Sequence, residues 1–286
     1  MNPAPPLVSS SRFGPPFSRE PSVFDLHPTS PRSTAMIPFQ RIISLPLLTA
    51  LGLFAAHAQE LESTTPVAGK TNGEKWWNGN YERINTDLKT AGDKIDIGFI
   101  GDSITARWRG SENWTKHWGA YKAGNMGIGG DATQHVLWRL QNGQLEGYQA
   151  KMFVVLIGTN NLWGKTAKPA DAAAGVKAIL DLIQAKQPQA KILLMSLLPT
   201  GEKPGPGRDS RAAVNEIISK YAGGSITYMD IAGKYLQPDG TISKEDMHDF
   251  LHLAPKGYDL WADAIMPKVK EIVGEGQPVQ KAATPQ

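Results

Sequence analysis

Short apolar runs punctuate the chain at 95–100 (IDIGFI), 152–157 (MFVVLI), 192–198 (ILLMSLL) and 226–229 (ITYM), with a weaker one near 121–126. Runs of this length predict buried strands. Stretches with apolar residues at three- and four-residue spacing follow them, at 104–118, 132–141, 170–186, 209–222 and 256–273, and these predict helices. Strands alternating with helices make a parallel sheet covered on both faces, a doubly wound α/β domain. No internal repeat is present. In such sheets ligands bind beyond the carboxyl ends of the strands. The positions to inspect are therefore Gly101-Asp102-Ser103, Gly127-Ile128-Gly129-Gly130-Asp131, Gly158-Thr159-Asn160-Asn161 and the loop 239–252 before the last helix.

One apolar run breaks the alternation. Residues 42–56 (IISLPLLTALGLFAA) carry no charge, follow Arg41 and lead into Ala56-His57-Ala58. A basic flank, a short apolar stretch and an A-x-A site are the parts of a signal peptide, and the run is too short for a membrane-spanning helix. Residues 1–35 are rich in Pro and Ser and cannot bury a core. The expected organisation is a leader over 1–35, over-extended or disordered, and a signal peptide over 36–58 cleaved near Ala58. A polar linker over 59–75, one domain over 76–273 and a flexible tail over 274–286 follow. The protein is then exported, to the periplasm or the extracellular space.

Composition narrows the chemistry. Of 286 residues none is Cys, which excludes disulfides, thiolate metal sites and a cysteine nucleophile. The net charge of +3 falls close to zero once the first 58 residues are removed. Electrostatic capture of nucleic acid or of an anionic membrane has no support. Neither composition nor motif reports oligomeric state, so a homodimer stays open.

The strand ends carry a candidate hydrolytic constellation. Ser103 lies between the strand FIG and an incoming helix, where a serine serves either as a helix N-cap or as a nucleophile. A hydroxyl nucleophile needs a base. His252 follows Asp249 by three positions, so the carboxylate can hold one ring nitrogen and turn the other toward the hydroxyl. His248 is the weaker base, and His117 and His135 read as structural helix residues. The Gly127–Gly130 backbone and the Asn160 amide offer donors to an oxyanion, although glycines also make plain turns and Asn also buttresses loops. Trp108, Trp114 and Trp163 are candidates to stack on a sugar ring. The helical spacing of Trp108, Trp114 and Trp118 favours core packing instead. Two rivals stand beside this reading. Gly127-x-Gly129-x-x-Ala132 fits a dinucleotide fingerprint, but its acidic partner would be Glu146, outside a strand end. A non-catalytic carbohydrate-binding module would be expected to carry a broken constellation.

GDSIT at 101–105, NMGIGGD at 125–131, GTNN at 158–161 and DFLHL at 249–253 resemble the four blocks of the SGNH (GDSL) hydrolase superfamily, in order and spacing. GGDATQHVLWRLQNGQLE, QPQAKILLMSLLPTGEKP and HDFLHL are similar to the catalytic subunits of the intracellular platelet-activating factor acetylhydrolases. The resemblance covers about Trp76 to Val273. It implies a three-layer α/β/α sandwich with a mostly parallel five-stranded sheet, the flavodoxin-like SGNH fold. It also implies Ser103 as nucleophile, His252 as base, Asp249 as its orienter, and an oxyanion hole of the Ser103 and Gly130 N–H groups with the Asn160 side chain. Asp102 is implied to be structural. Ile104, Thr159 and Leu251 are implied to wall a small acyl pocket. No metal or organic cofactor is implied. The expected activity is hydrolysis of acetyl esters through an acyl-enzyme, as an O-deacetylase of carbohydrate or other extracytoplasmic substrates, with lysophospholipase or phospholipid acetylhydrolase activity as the alternative. The animal enzymes are cytosolic, and the export pattern here departs from them.

Overall fold

A computed structural model describes residues 61–93, 95–164 and 167–277. The chain divides into units 1–56 and 57–286, and every described residue lies in the second. The expected leader and signal peptide lie outside the described residues.

The strands are β1 (Ile97–Gly101), β2 (Ala123–Asn125), β3 (Met152–Leu156), β4 (Lys191–Met195) and β5 (Ile226–Met229). They pair in the order β2-β1-β3-β4-β5, and all four pairings are parallel. Buried on both faces, the central strands divide their side chains by the two-residue period of the pleat. Phe153 and Val155 of β3 join one core, with Ile192 and Leu194 of β4. Met152, Val154 and Leu156 join the other, with Leu193 and Met195. Helices cover both, which gives the three layers.

Seven α-helices are described: α1 (Glu74–Ala91), α2 (Ser103–Ala106), α3 (Glu112–Trp118), α4 (Thr133–Arg139), α5 (Pro169–Lys186), α6 (Pro206–Ser219) and α7 (Pro255–Val273). Helices α1, α4, α5 and α6 supply the first core. Trp108, α3 and α7 supply the second, where Trp108 and Trp118 are 0% and 1% exposed.

The structure departs from the local expectations at four places. The continuous helix over 104–118 is two helices. Gly110 takes φ +71°, and the Ser111 hydroxyl accepts from Trp114 N–H at 3.0 Å to start α3 afresh. Helix α1 was not anticipated: its polar residues obscure a narrow apolar stripe, Trp77, Ile84 and Leu88, which it buries. The stretch 61–73, expected as part of a free linker, packs on the domain. Ser63 and Gly69 are buried, and the Ser63 carbonyl accepts the Thr133 hydroxyl at 2.8 Å. At the other end Gln277 N–H donates to the Ala120 carbonyl at 2.7 Å, so the described start of the expected tail also makes contact.

A fully buried ion pair fixes the upper end of the sheet. Arg139 and Asp131 are both 0% exposed. The Arg139 guanidinium donates to Asp131 Oδ2 at 2.8 Å, Gln144 Oε1 at 2.6 Å and the Gly101 carbonyl at 3.0 Å. Asp131 Oδ1 accepts the Trp77 indole N–H at 2.7 Å. Truncation of Arg139 leaves a buried carboxylate uncompensated. Arg139→Ala is expected to lower stability by about 3–5 kcal/mol in urea titration, and a loss below about 1 kcal/mol would show that the pair does not bind the layers together.

Candidate active site

In strand order 2-1-3-4-5 the chain reverses direction across the sheet between β1 and β3, and a crevice opens at their carboxyl ends. Ser103 stands there, at the first residue of α2. The N-cap of that helix is Asp102, whose Oδ1 accepts from Ile104 N–H at 2.9 Å. Because the neighbour performs the capping, the Ser103 hydroxyl is left for another partner. A Cβ at Gly127 would stand 2.4 Å from Ala106 N, so glycine there lets the next loop close against the turn.

The structure brings Ser103, His252 and Asp249 into one hydrogen-bonded series. Ser103 Oγ is 2.9 Å from His252 Nε2, and His252 Nδ1 is 2.7 Å from Asp249 Oδ2. The second carboxylate oxygen accepts from the backbone N–H groups of Leu251 at 3.1 Å and His252 at 2.7 Å. Between them Phe250 adopts φ +60°, a conformation seldom taken by a bulky residue. Its carbonyl is anchored by Gly201 N–H at 2.9 Å and the Thr200 hydroxyl at 3.1 Å. The turn thereby places Asp249 and His252 on one side. Desolvation pushes the Asp249 pKa up, but the hydrogen bonds from the His252 side chain and backbone, the histidine's charge and the Leu251 N–H outweigh it. The carboxyl is held well below its usual range.

Asp102 has the opposite environment. It is 0% exposed and its Oδ2 has no partner among the described residues. Burial pushes its pKa up to about 7, against the Ile104 hydrogen bond and with the charge of Asp131 adding to the rise.

The remaining polar candidates separate in role. Gly130 takes φ +77°, and a Cβ there would meet the Thr71 side chain at 2.3 Å. Its N–H, like that of Ser103, has no acceptor among the described residues. Asn161 caps α4 by accepting from Thr133 N–H at 3.0 Å, whereas Asn160 Nδ2 donates to the Asp131 carbonyl at 2.8 Å. Among the other histidines, His135 Nδ1 accepts from Ala132 N–H at 3.0 Å, and His117 bonds Asp259 to tie α3 to α7. His248 is half exposed, 3.5 Å from Arg107.

A cleft of about 440 Å³ holds the reactive groups, lined by Ser103, His252, Gly129, Gly130, Thr71, Trp76, Asn72, Asn80, Ala106, Arg107 and Arg109. Trp76 is the aromatic residue that sequence reasoning missed. It neighbours Trp77 on α1, and the helical period turns Trp77 inward at 0% exposed and Trp76 outward at 41%. Trp108 belongs to the core, Trp114 packs at its edge, and Trp163 is exposed. Ile104 and Thr159 are buried at 1% and 2% and Leu251 is half-buried; none of the three lines this cleft.

Among the described residues His248, Asp249 and His252 are the one group whose ligand atoms approach within 4.8 Å in the manner of a metal site. Both ring nitrogens of His252 are already engaged by Asp249 and Ser103. The glycine fingerprint at 127–132 does follow a strand, but Glu146 is paired with Lys186 at 2.8 Å, away from any strand end.

Comparison with known proteins shows the family and the fold. Residues 99–260 match the model of the GDSL-like lipase/acylhydrolase family. The platelet-activating factor acetylhydrolase IB subunit alpha2 of Homo sapiens is 41% identical over 196 residues, which covers 67% of this chain and 82% of that protein. The alpha1 subunit of Homo sapiens is 37% identical over 225 residues, covering 77% and 95%. A GDSL-like lipase structure from Bacteroides thetaiotaomicron shares the fold, with a TM-score of 0.58 at 19% identity over 67% of this chain and 98% of that one.

A doubly wound α/β domain with hydroxyl, imidazole and carboxylate aligned at its switch point is that of a carboxylic ester hydrolase. This chain belongs to the GDSL-like lipase/acylhydrolase family.

The raised Asp102 pKa has a consequence for stability. A carboxyl with a higher pKa folded than unfolded favours folding most at low pH, and that contribution is lost as pH rises from about 4 to about 7. Asp102→Asn keeps an oxygen for the Ile104 N–H and removes the titration. Urea midpoints of the native protein are expected to fall between pH 5 and pH 8 by more than those of the variant; identical slopes would place Asp102 in a solvated environment.

Proposed function

We propose that this protein is a serine esterase that removes acetyl groups from carbohydrate or other acetylated substrates outside the cytoplasm. Ser103 Oγ attacks the ester carbonyl as His252 Nε2 takes its proton. The oxygen that gains charge is met by the Ser103 and Gly130 N–H groups and the Asn160 amide, donors fixed before the reaction begins. The alcohol leaves with the proton from His252, and water repeats the sequence on the acyl-enzyme. Asp249 stays ionised throughout and stabilises the imidazolium.

Preference for acetyl is supported by relatives whose names are acetylhydrolases. Ile104, Thr159 and Leu251 adjoin the reactive residues in sequence without lining the cleft; as acyl walls they would act behind the lining residues, where an extra methylene would cost about 1–3 kcal/mol in overlap.

The observation that carries the carbohydrate reading is Trp76. It presents an exposed indole in a cleft whose other lining residues, Ala106 and the two glycines apart, are polar or charged. A sugar ring fits an aromatic face flanked by amides such as Asn72 and Asn80, whereas an alkyl chain needs aliphatic walls. The names of the relatives favour a second reading, an acetylated phospholipid. Action outside the cytoplasm rests on the sequence of residues 36–58.

Acetylated xylan, acetylated glucosamine, acetylated sialic acid and an acetyl phospholipid, compared by kcat/KM, separate the readings. A sugar ester is expected to be the best substrate, with Trp76→Ala lowering its kcat/KM about 3- to 10-fold. Faster turnover of the phospholipid than of every sugar ester would overturn the carbohydrate assignment. On p-nitrophenyl acetate, Ser103→Ala is expected to cost about 10⁴–10⁶ in kcat and Asn160→Ala about 10²–10³. Retained turnover in Ser103→Ala would sink the mechanism.

A further inference from the structure

Asn160 follows β3 in the turn Thr159–Leu162, and its carboxamide is held at both ends. Nδ2 donates to the Asp131 carbonyl at 2.8 Å, and Oδ1 accepts the Trp163 indole N–H at 3.0 Å. A carboxamide turned by 180° occupies the same volume, so packing alone does not choose between the two orientations. Hydrogen bonding does. In the turned state Oδ1 would face a carbonyl oxygen and Nδ2 would face an N–H, two repulsive pairs in place of two bonds. Nδ2 carries two hydrogens. With one on Asp131, the second has no acceptor among the described residues.

Besides this hydrogen bond, Trp163 lines a pocket together with Asn160 and Asn161. It is 56% exposed and belongs to neither hydrophobic core. Its ring is instead covered by a buried cation: the Arg211 guanidinium carbon lies 5.2 Å from the ring centroid. Arg211 is 2% exposed and is itself tied to the Gly207 carbonyl at 2.9 Å, on the same helix α6. A guanidinium over an indole face is an attractive contact that sets the ring plane, and the ring plane sets the direction of the N–H.

We propose that Trp163 is a positioning residue for ester hydrolysis: its indole N–H locks the Asn160 carboxamide in the orientation that leaves an N–H for the transition-state oxygen. The proposal rests on the reading of Asn160 as an oxyanion donor. Trp163 touches neither substrate nor reacting atoms in this role. Losing the indole donor removes one of the two bonds that discriminate between orientations, and a single such bond corresponds to a rate effect of about 3- to 10-fold.

The test is a double-mutant cycle on the purified full-length chain with p-nitrophenyl acetate, with circular dichroism melts run alongside. Trp163→Phe is expected to lower kcat about 3- to 10-fold while KM stays within about two-fold, and Trp163→His, which retains a ring N–H, to recover part of that loss. In the Asn160→Ala background Trp163→Phe is expected to change kcat little, because the group it positions is gone. An equal loss in both backgrounds, an unchanged kcat in the single variant, or a rise in KM alone would overturn the proposal. An Asn160→Ala enzyme with native kcat would instead sink the oxyanion reading, and this proposal with it.

Discussion

A charge pair sealed inside the domain holds its reactive end together. Asp131 and Arg139 have no solvent exposure, so each depends on the other and on full hydrogen bonding for its presence there. The partners are distributed: the indole of Trp77 from α1, the amide of Gln144 after α4 and the carbonyl of Gly101 at the end of β1. Gly101 precedes the nucleophile turn by one residue, and Asp131 follows Gly130. One guanidinium therefore fixes the spacing between the hydroxyl and the loop that faces it. The Asp131 carbonyl meanwhile holds the Asn160 amide. Buried hydrogen bonds of this kind strengthen one another in a low-dielectric interior, which suits a site whose donors must be in place before charge develops.

Two aspartates beside the reactive groups are driven in opposite directions by their surroundings. Asp102 is buried with one oxygen unpartnered, and its pKa rises. Asp249 is partly exposed, collects three hydrogen bonds in a strained turn and stays ionised. The first makes the helix start that frees Ser103 from capping; the second keeps a negative charge against the imidazole. Residue type is the same at both positions, and environment assigns the work.

Much of the architecture was legible because its signal is local. Five apolar runs and the periodic stretches after them marked all five strands and, α1 apart, the helical segments on both faces. The errors also have local causes. Gly110 and Ser111 divide a stretch whose tryptophans otherwise keep helical spacing, and α1 hides a three-residue apolar stripe among polar residues. The polar stretch before α1 has the composition of a linker, yet the Ser63 carbonyl and the Thr71 side chain reach over to α4 and Gly130, contacts between partners 70 and 59 positions apart in sequence. Of the aromatic residues, the helical spacing that favoured core packing for Trp108 and Trp118 matches their burial, while Trp76 carries no such local mark. Exposure at Trp76 depends on which side of α1 meets the sheet.

The sequence by itself determined the α/β class, the strand ends where chemistry gathers, and the identity of Ser103, Asp249 and His252 as candidates, because turn chemistry, hydrophobic period and short-range spacing are encoded within a few residues. Only the tertiary structure decided that Asp102 rather than Ser103 caps α2, that Asn161 rather than Asn160 caps α4, and that Trp163 is bound to Asn160 while Trp76 enters the cleft. These are choices between chemically equivalent neighbours. Burial and long-range hydrogen bonds separate them, and both exist only once distant segments have been brought together.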